Sequence, residues 1–412
     1  MFKYTPRNMN GIFAIDKPLG VTSSKFLLDL QDLFTKSHVF EQHLQEFRDG
    51  RRAALLTDKK WKKEKIDKKI RNLKVKIGHG GTLDPLASGI LVVGVGSGTK
   101  QLSHYLGECD KTYETKALLG ISTTTGDSEG DILSKNKVDH ITKKDVEKTC
   151  EKFVGNIKQM PPIFSALKMN GKPLYEYARE GIPLPMPIKT RDVKVNSLTV
   201  LDDTMSTDHE FNKLETDLNP EEQNKLFHNE TLLKTPLYFS DQYNEANEKT
   251  TETAPPRVLE DGEQLPEKLP MIHFVTSVSS GTYIRSLIGD IGRALESSAY
   301  MVELRRTQQS DWKIGKNVFR WEDFAENDDR VWGPVLKAVL EQGHEVDVAK
   351  ELEATREKMA PLIQEEKERL AKHGLEESSE QVQKKRKELE TEEHKENGSN
   401  SEKIDPEQKL DI

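Results

Sequence analysis

Between Gly78 and Leu91 the chain reads GHGGTLDPLASGIL, and its most informative chemistry is concentrated there. Glycines on both sides of His79 let the backbone bend closely about a ligand, and Pro85 fixes the turn immediately after Asp84, so that the acid is presented to the surroundings. Taken alone, Thr-Leu-Asp-Pro is also an ordinary turn in which the Asp bonds its own backbone, and spacing by itself favours that plainer role. Tyr113 lies in KTYETKALLG, where a strand residue ordinarily fills core space. Arg285 opens an amphipathic helix, where an arginine ordinarily faces solvent. No paired Cys, His or carboxylates sit at metal-ligand spacing around His79. GVGSGTK, Gly94 to Lys100, hints at a phosphate-binding NTPase, but a P-loop needs G-x-x-x-x-G-K-[ST], and Lys100 is preceded by Thr99 and followed by Gln101.

GHGGTLDPLASGIL followed by GSGTK resembles the signature loop of TruB-type pseudouridine synthases. Three further motifs fall in that family's order: DKPLGVTS (Asp16 to Ser23), KTYE (Lys111 to Glu114) and GTYIRSL (Gly281 to Leu287). PPIFSALKMNGKPLYEYAREG is similar to the family's central region. The resemblance implies an isomerase that turns uridine into pseudouridine in tRNA, with Asp84 at the position of the family's catalytic nucleophile. That conversion requires the base to leave C1′, rotate and rejoin through C5, so a carboxylate must act on the ribose or the base. Addition of Asp84 to carbon and removal of a ribose proton by Asp84 are both open. Such an isomerisation needs no cofactor, redox group or metal.

The same resemblance assigns the neighbours. Arg285 keeps the carboxylate ionised and aimed through a charge-assisted pair. Tyr113 stacks on the everted base and assists proton removal at C5, with Tyr283 beside it. His79 helps to flip the target nucleotide, by stacking or phosphate contact. Lys17 and Lys100 serve equally well as phosphate contacts or as structural residues. Asp84-Pro85-Leu86-Ala87-Ser88-Gly89 is closer to the stand-alone tRNA enzymes than to the guide-RNA branch, which points to U55 of the TΨC loop in the tRNA T-arm, and to other RNAs with a similar stem-loop. A non-catalytic tRNA-folding factor on the same scaffold is the alternative.

These residues need a frame. GIFAID reads as a short buried strand, and Thr22 or Ser23 caps a helix whose Phe26, Leu27, Leu30, Leu33 and Phe34 recur at helical spacing. ILVVGVG suits a buried strand, and Tyr113, Thr115, Ala117 and Leu119 share one side of a two-residue repeat. Val146 to Phe153 is helix-like, and LYEYAR is a short helix ended by Gly181 and Pro183. From Met271 the pattern is strand, glycine turn, then a helix with an apolar stripe of Ile284, Leu287, Ile288, Ile291 and Leu295. The resemblance implies an α+β pseudouridine synthase fold, a mixed and largely antiparallel sheet flanked by helices. The catalytic domain is expected over residues 1–345, with polar insertions near 37–76 and 202–268, the second lacking periodicity and read as disordered. Residues 346–412 form a charged, partly helical or disordered tail in which no PUA-type RNA-binding domain is recognisable.

Composition fits that division. Only 34% of residues are hydrophobic while 32% are charged, so polar appendages dilute an ordinary core. The net charge of −8 looks wrong for a nucleic-acid binder, yet KKWKKEKIDKKIRNLKVK, Lys59 to Lys76, carries ten basic and two acidic residues. This run is expected to form a helix with a basic face that tracks RNA backbone. Cys109 and Cys150 are too few for a disulfide framework and are expected as free thiols. No apolar run nears the ~20 residues of a membrane span, and the expected protein is a monomer without a membrane partner. KKRK, Lys384 to Lys387, suggests nuclear import, and Lys3 and Arg7 in an opening without acids suggest a mitochondrial fraction.

Overall fold

The computed structural model describes residues 9–57, 61–215, 236–247, 254–260 and 262–372. Two compact units are distinguished, Met1–Leu352 and Glu353–Ile412. The described part of the second is the later portion of a helix, Val348–Lys372. None of the described helices is long and apolar enough to cross a membrane.

The first unit is built on strands β1 (Gly11–Lys17), β2 (Ile77–His79), β3 (Ala87–Val95), β4 (Lys111–Leu119), β5 (Ile121–Thr123), β6 (Ile132–Lys135) and β7 (Gly155–Gln159). These are followed by β8 (Lys168–Met169), β9 (Lys172–Pro173), β10 (Arg191–Val200), β11 (Met271–Val278), β12 (Ala299–Gln309), β13 (Trp312–Lys313) and β14 (Phe319–Arg320). Ten of them form one sheet in the order β14-β1-β3-β12-β4-β11-β10-β7, with β2 added on β3 and β13 on β12. Only β1/β14 and β3/β12 run parallel, so the sheet is mixed and largely antiparallel, as the sequence implies.

Apolar residues of β4, β11, β12 and the helix Ile284–Ala294 make one core, in which Ile284, Leu287, Ile288, Ile291 and Leu295 are all buried. Toward the β1 end, the helix Ser23–Lys36 buries Phe26, Leu30 and Phe34. Phe34 meets Phe13, Phe324 and Trp332 at ring-centroid distances of 5.9, 5.3 and 5.8 Å. Thr22 caps this helix, accepting from the Lys25 amide. Both cysteines are free and buried, and burial pushes the Cys150 thiol up to about 12.

The segment from Asp202 to Glu267 departs from expectation. Where described, it lies on the core: Phe211, Leu214, Leu237, Tyr243 and Leu259 pack against the main cluster, and Leu265 is buried within it. Phe239 and Tyr243, whose rings lie 5.3 Å apart, are joined by apolar residues scattered along an otherwise polar segment, so no sustained period appears in the sequence. Residues 216–235, 248–253 and 261 of this segment lie outside the described residues.

Candidate active site

One transverse row of the sheet sets the floor of the site. Lys17 on β1 pairs with Gly89 on β3, Gly89 with Arg306 on β12, Arg306 with Tyr113 on β4, and Tyr113 with Thr276 on β11. Directly paired residues project to the same face, so these side chains converge. Gly89 is the gap in the row. Its φ is +103°, and an added Cβ would stand 2.3 Å from the Arg306 carbonyl oxygen.

Asp84 precedes the turn into β3, and three separate devices hold its loop. The Ser23 hydroxyl donates to the Leu83 carbonyl at 2.8 Å and accepts from the Leu83 amide at 2.9 Å, entirely out of water. The Gly20 amide donates to the Pro85 carbonyl at 2.9 Å. From below, Arg306 donates to Gly81 O (3.3 Å), Ile90 O (2.7 Å) and the Tyr113 hydroxyl (3.4 Å), while Gln309 donates to Gly80 O at 2.6 Å. The DKPLGVTS and GHGGTLDP motifs therefore occur together because one clamps the other.

The Asp84 carboxylate is met by Arg285, whose Nη2 lies 3.0 Å from Oδ2. The acid's side chain is 40% exposed and the arginine's 6%, so the anion reaches solvent while its counter-ion is fixed in the protein. Arg285 is itself held by the carbonyls of Thr125 (2.6 Å) and Phe164 (2.8 Å) and by Asp127, with Nη1 3.5 Å from Oδ2. Asp127 is fixed in turn by the Thr125 hydroxyl and the Glu129 amide. Burial and the like charges of Asp127 and Asp84 push the Glu129 carboxyl up from its usual range. Tyr283 stands immediately before the helix of Arg285. Its amide donates to Gln159 Oε1 at 2.8 Å, and Gln159 Nε2 donates back to its carbonyl at 3.1 Å.

Tyr113, 7% exposed, lies in the same row, its ring 6.0 Å from the Arg306 guanidinium carbon. Beside it, burial pulls the Lys111 ammonium below its ordinary value, and that group donates to Ser280 Oγ at 2.8 Å. His79 is half-buried on β2, and burial depresses its imidazole, favouring a neutral ring suited to stacking over a charged phosphate clamp.

Two expected RNA contacts sit differently. Lys17 is fully buried, burial lowering its ammonium to about 8, and it donates to the carbonyls of Pro18 (2.8 Å) and Val21 (2.7 Å). It shapes the loop of its own motif and offers no charge to solvent, which corrects the reading of it as a phosphate contact. Lys100 is exposed on the 3-10 turn Gly96–Gln101 and touches none of Asp84, Tyr113 or Arg285. Asp127, Arg306 and Gln309 are the site residues that the sequence reading omits. TTTGDS reads as an ordinary turn, and ELRRTQQ lacks the apolar alternation of a strand.

Residues 68–218 match the model of the TruB family pseudouridylate synthase (N terminal domain). The tRNA pseudouridine synthase 4 of Saccharomyces cerevisiae is 46% identical over 369 residues, covering 87% of this chain and 91% of its own length. That of Schizosaccharomyces pombe is 36% identical over 76% of this chain and 82% of its own. The tRNA pseudouridine synthase B of Colwellia psychrerythraea is 29% identical over 82% and 69% respectively.

Proposed function

The chain belongs to the TruB family and is a tRNA pseudouridine synthase; from that premise we propose that Asp84 isomerises U55 in the TΨC loop of the tRNA T-arm. The observation that carries this reading is the exposed Asp84 carboxylate 3.0 Å from a buried Arg285, beside the row that bears Tyr113. A fixed guanidinium aims the carboxylate toward an incoming nucleotide without needing to reorganise.

In the reaction the N1–C1′ bond breaks, the base turns, a C5–C1′ bond forms, the C5 proton leaves and N1 gains a proton. Asp84 starts the sequence either by adding to carbon or by taking a ribose proton. In this reading Tyr113 stacks on the everted base and assists loss of the C5 proton. Tyr283 and His79 flank the nucleotide. RNAs with a T-loop-like stem-loop are further substrates in this reading, and the protein acts as a monomer away from membranes. Nuclear residence with a mitochondrial fraction is proposed on KKRK and on Lys3 and Arg7, all outside the described residues. A catalytic body ending near residue 345 is proposed as well, on the change to an alternating-charge composition beyond it.

Asp84→Asn tests the assignment with a tRNA transcript. Binding is expected to stay near wild type while pseudouridine at position 55 disappears; retained activity would reject it.

A further inference from the structure

After Val39 and Phe40, which stay buried with Phe40 stacked on Phe34, the insertion continues as two helices, Glu41–Leu56 and Lys63–Arg71. They pack through a small apolar seam of Leu55, Ile66 and Ile70. Arg48 fastens the pair by donating to the carbonyls of Arg71 (3.3 Å) and Leu73 (3.1 Å), and Arg52 pairs with Asp67 at 3.1 Å. With Ile66 and Ile70 turned inward, Lys65, Lys68 and Lys69, at three- and four-residue spacing from Lys65, share one flank of the second helix, and Lys62 stands at its N-cap. All four are exposed, and none is ion-paired to a carboxylate among the described residues. At the head of this face Trp61 is 37% exposed, and the Lys69 ammonium lies 4.4 Å from its ring centroid.

Like charges at three- and four-residue spacing repel by roughly 0.2–0.5 kcal/mol per pair, so this face gains from an anionic partner. The chain then runs from the second helix through Lys74 and Lys76 into β2, where the Gly96 amide holds the Lys76 carbonyl at 2.7 Å. β2 carries His79, and the loop of Asp84 follows it. The two-helix insertion and the catalytic loop thus share one root.

We infer that Lys62, Lys65, Lys68 and Lys69, with Trp61, form a docking surface for the phosphate backbone of the RNA substrate, outside the catalytic cleft. The inference rests on the tRNA-modifying reading above and adds to it where the RNA body is gripped. Ammonium groups take phosphates, and the flat indole offers a base or sugar a stacking surface.

The test replaces the four lysines by glutamine, which keeps helix propensity, and measures binding of a full tRNA transcript between roughly 50 and 200 mM salt. The expected result is binding weakened about tenfold or more, with the log–log salt slope reduced by about 3 to 4, near 0.9 per lost phosphate contact. Turnover at saturating tRNA should be unchanged. An unchanged affinity and slope would overturn the inference, as would retained tRNA binding together with lost binding to phosphatidylserine vesicles. Should the fourfold variant lose helix content by circular dichroism, Lys65→Glu and Lys68→Glu singly carry the same test. Wild-type turnover on the same transcript reports separately on the catalytic reading.

Discussion

Arg306 and Tyr113 face each other across β12 and β4, with Nη1 3.4 Å from the phenol oxygen. The same guanidinium holds Gly81 and Ile90, so one buried side chain fixes both the tyrosine and the two ends of the Asp84 loop. Arg306→Lys keeps the charge and loses the planar fork. Misplacing groups of this kind costs on the order of 10²-fold in rate. Single-turnover pseudouridine formation should fall by about that factor while tRNA affinity holds; an unchanged rate would show that the fork does not position the site.

Arg285 lies between Asp84 and Asp127, and the second carboxylate is only 5% exposed. Arg285→Met leaves Asp127 buried without its cation, a loss of about 3–5 kcal/mol. Adding Asp127→Asn should restore part of that stability but none of the activity, because Asp84 still lacks its partner. Chemical denaturation of the single and double variants checks the coupling. Additive losses would mean that the two groups act independently.

Ser23 is read from sequence as a helix-capping candidate, yet its hydroxyl serves Leu83 in both directions. Ser23→Ala strands a buried donor and a buried acceptor next to Asp84, costing about 1–3 kcal/mol. Turnover should fall along with stability, because the loop that aims the acid loosens. A stable variant with normal turnover would assign the loop's geometry to Gly20, Arg306 and Gln309 alone.

Local patterns made much of this legible. The stripe from Ile284 to Leu295 and the alternation from Tyr113 to Leu119 follow from burying one face of a helix or strand, and Asp84 is marked by its glycines and proline. Strand β12 is different. Arg305, Arg306, Gln308 and Gln309 break its alternation, yet Arg306 and Gln309 are buried and Arg305 pairs with Asp16 at 2.6 Å. Their partners, Asp16, Gly80, Gly81 and Tyr113, lie some two hundred residues or more away in the chain, so no window of sequence contains the reason for burial. Lys17 misleads for the same cause: its charge is spent on carbonyls of a turn that only the folded loop creates. Asp127 reads as a turn residue until Arg285 arrives from a distant helix.

Asp290, on the helix that carries Arg285, provides a pH test of this packing. Burial raises its carboxyl to about 6, although Arg293 beside it works in the other direction. A raised folded-state value means that the native protein binds this proton more tightly than the unfolded chain does. The contribution to stability is therefore full below about pH 4 and is lost as pH rises through 6. Over that window the change is on the order of 3 kcal/mol, from about 1.4 kcal/mol per pH unit. Asp290→Asn removes the titration but keeps the shape. The stability of wild type relative to this variant should fall between pH 4 and pH 7, measured by urea denaturation at each pH. A difference independent of pH would mean that the carboxyl titrates as it does in water, and that the helix beneath Arg285 is more open than its burial indicates.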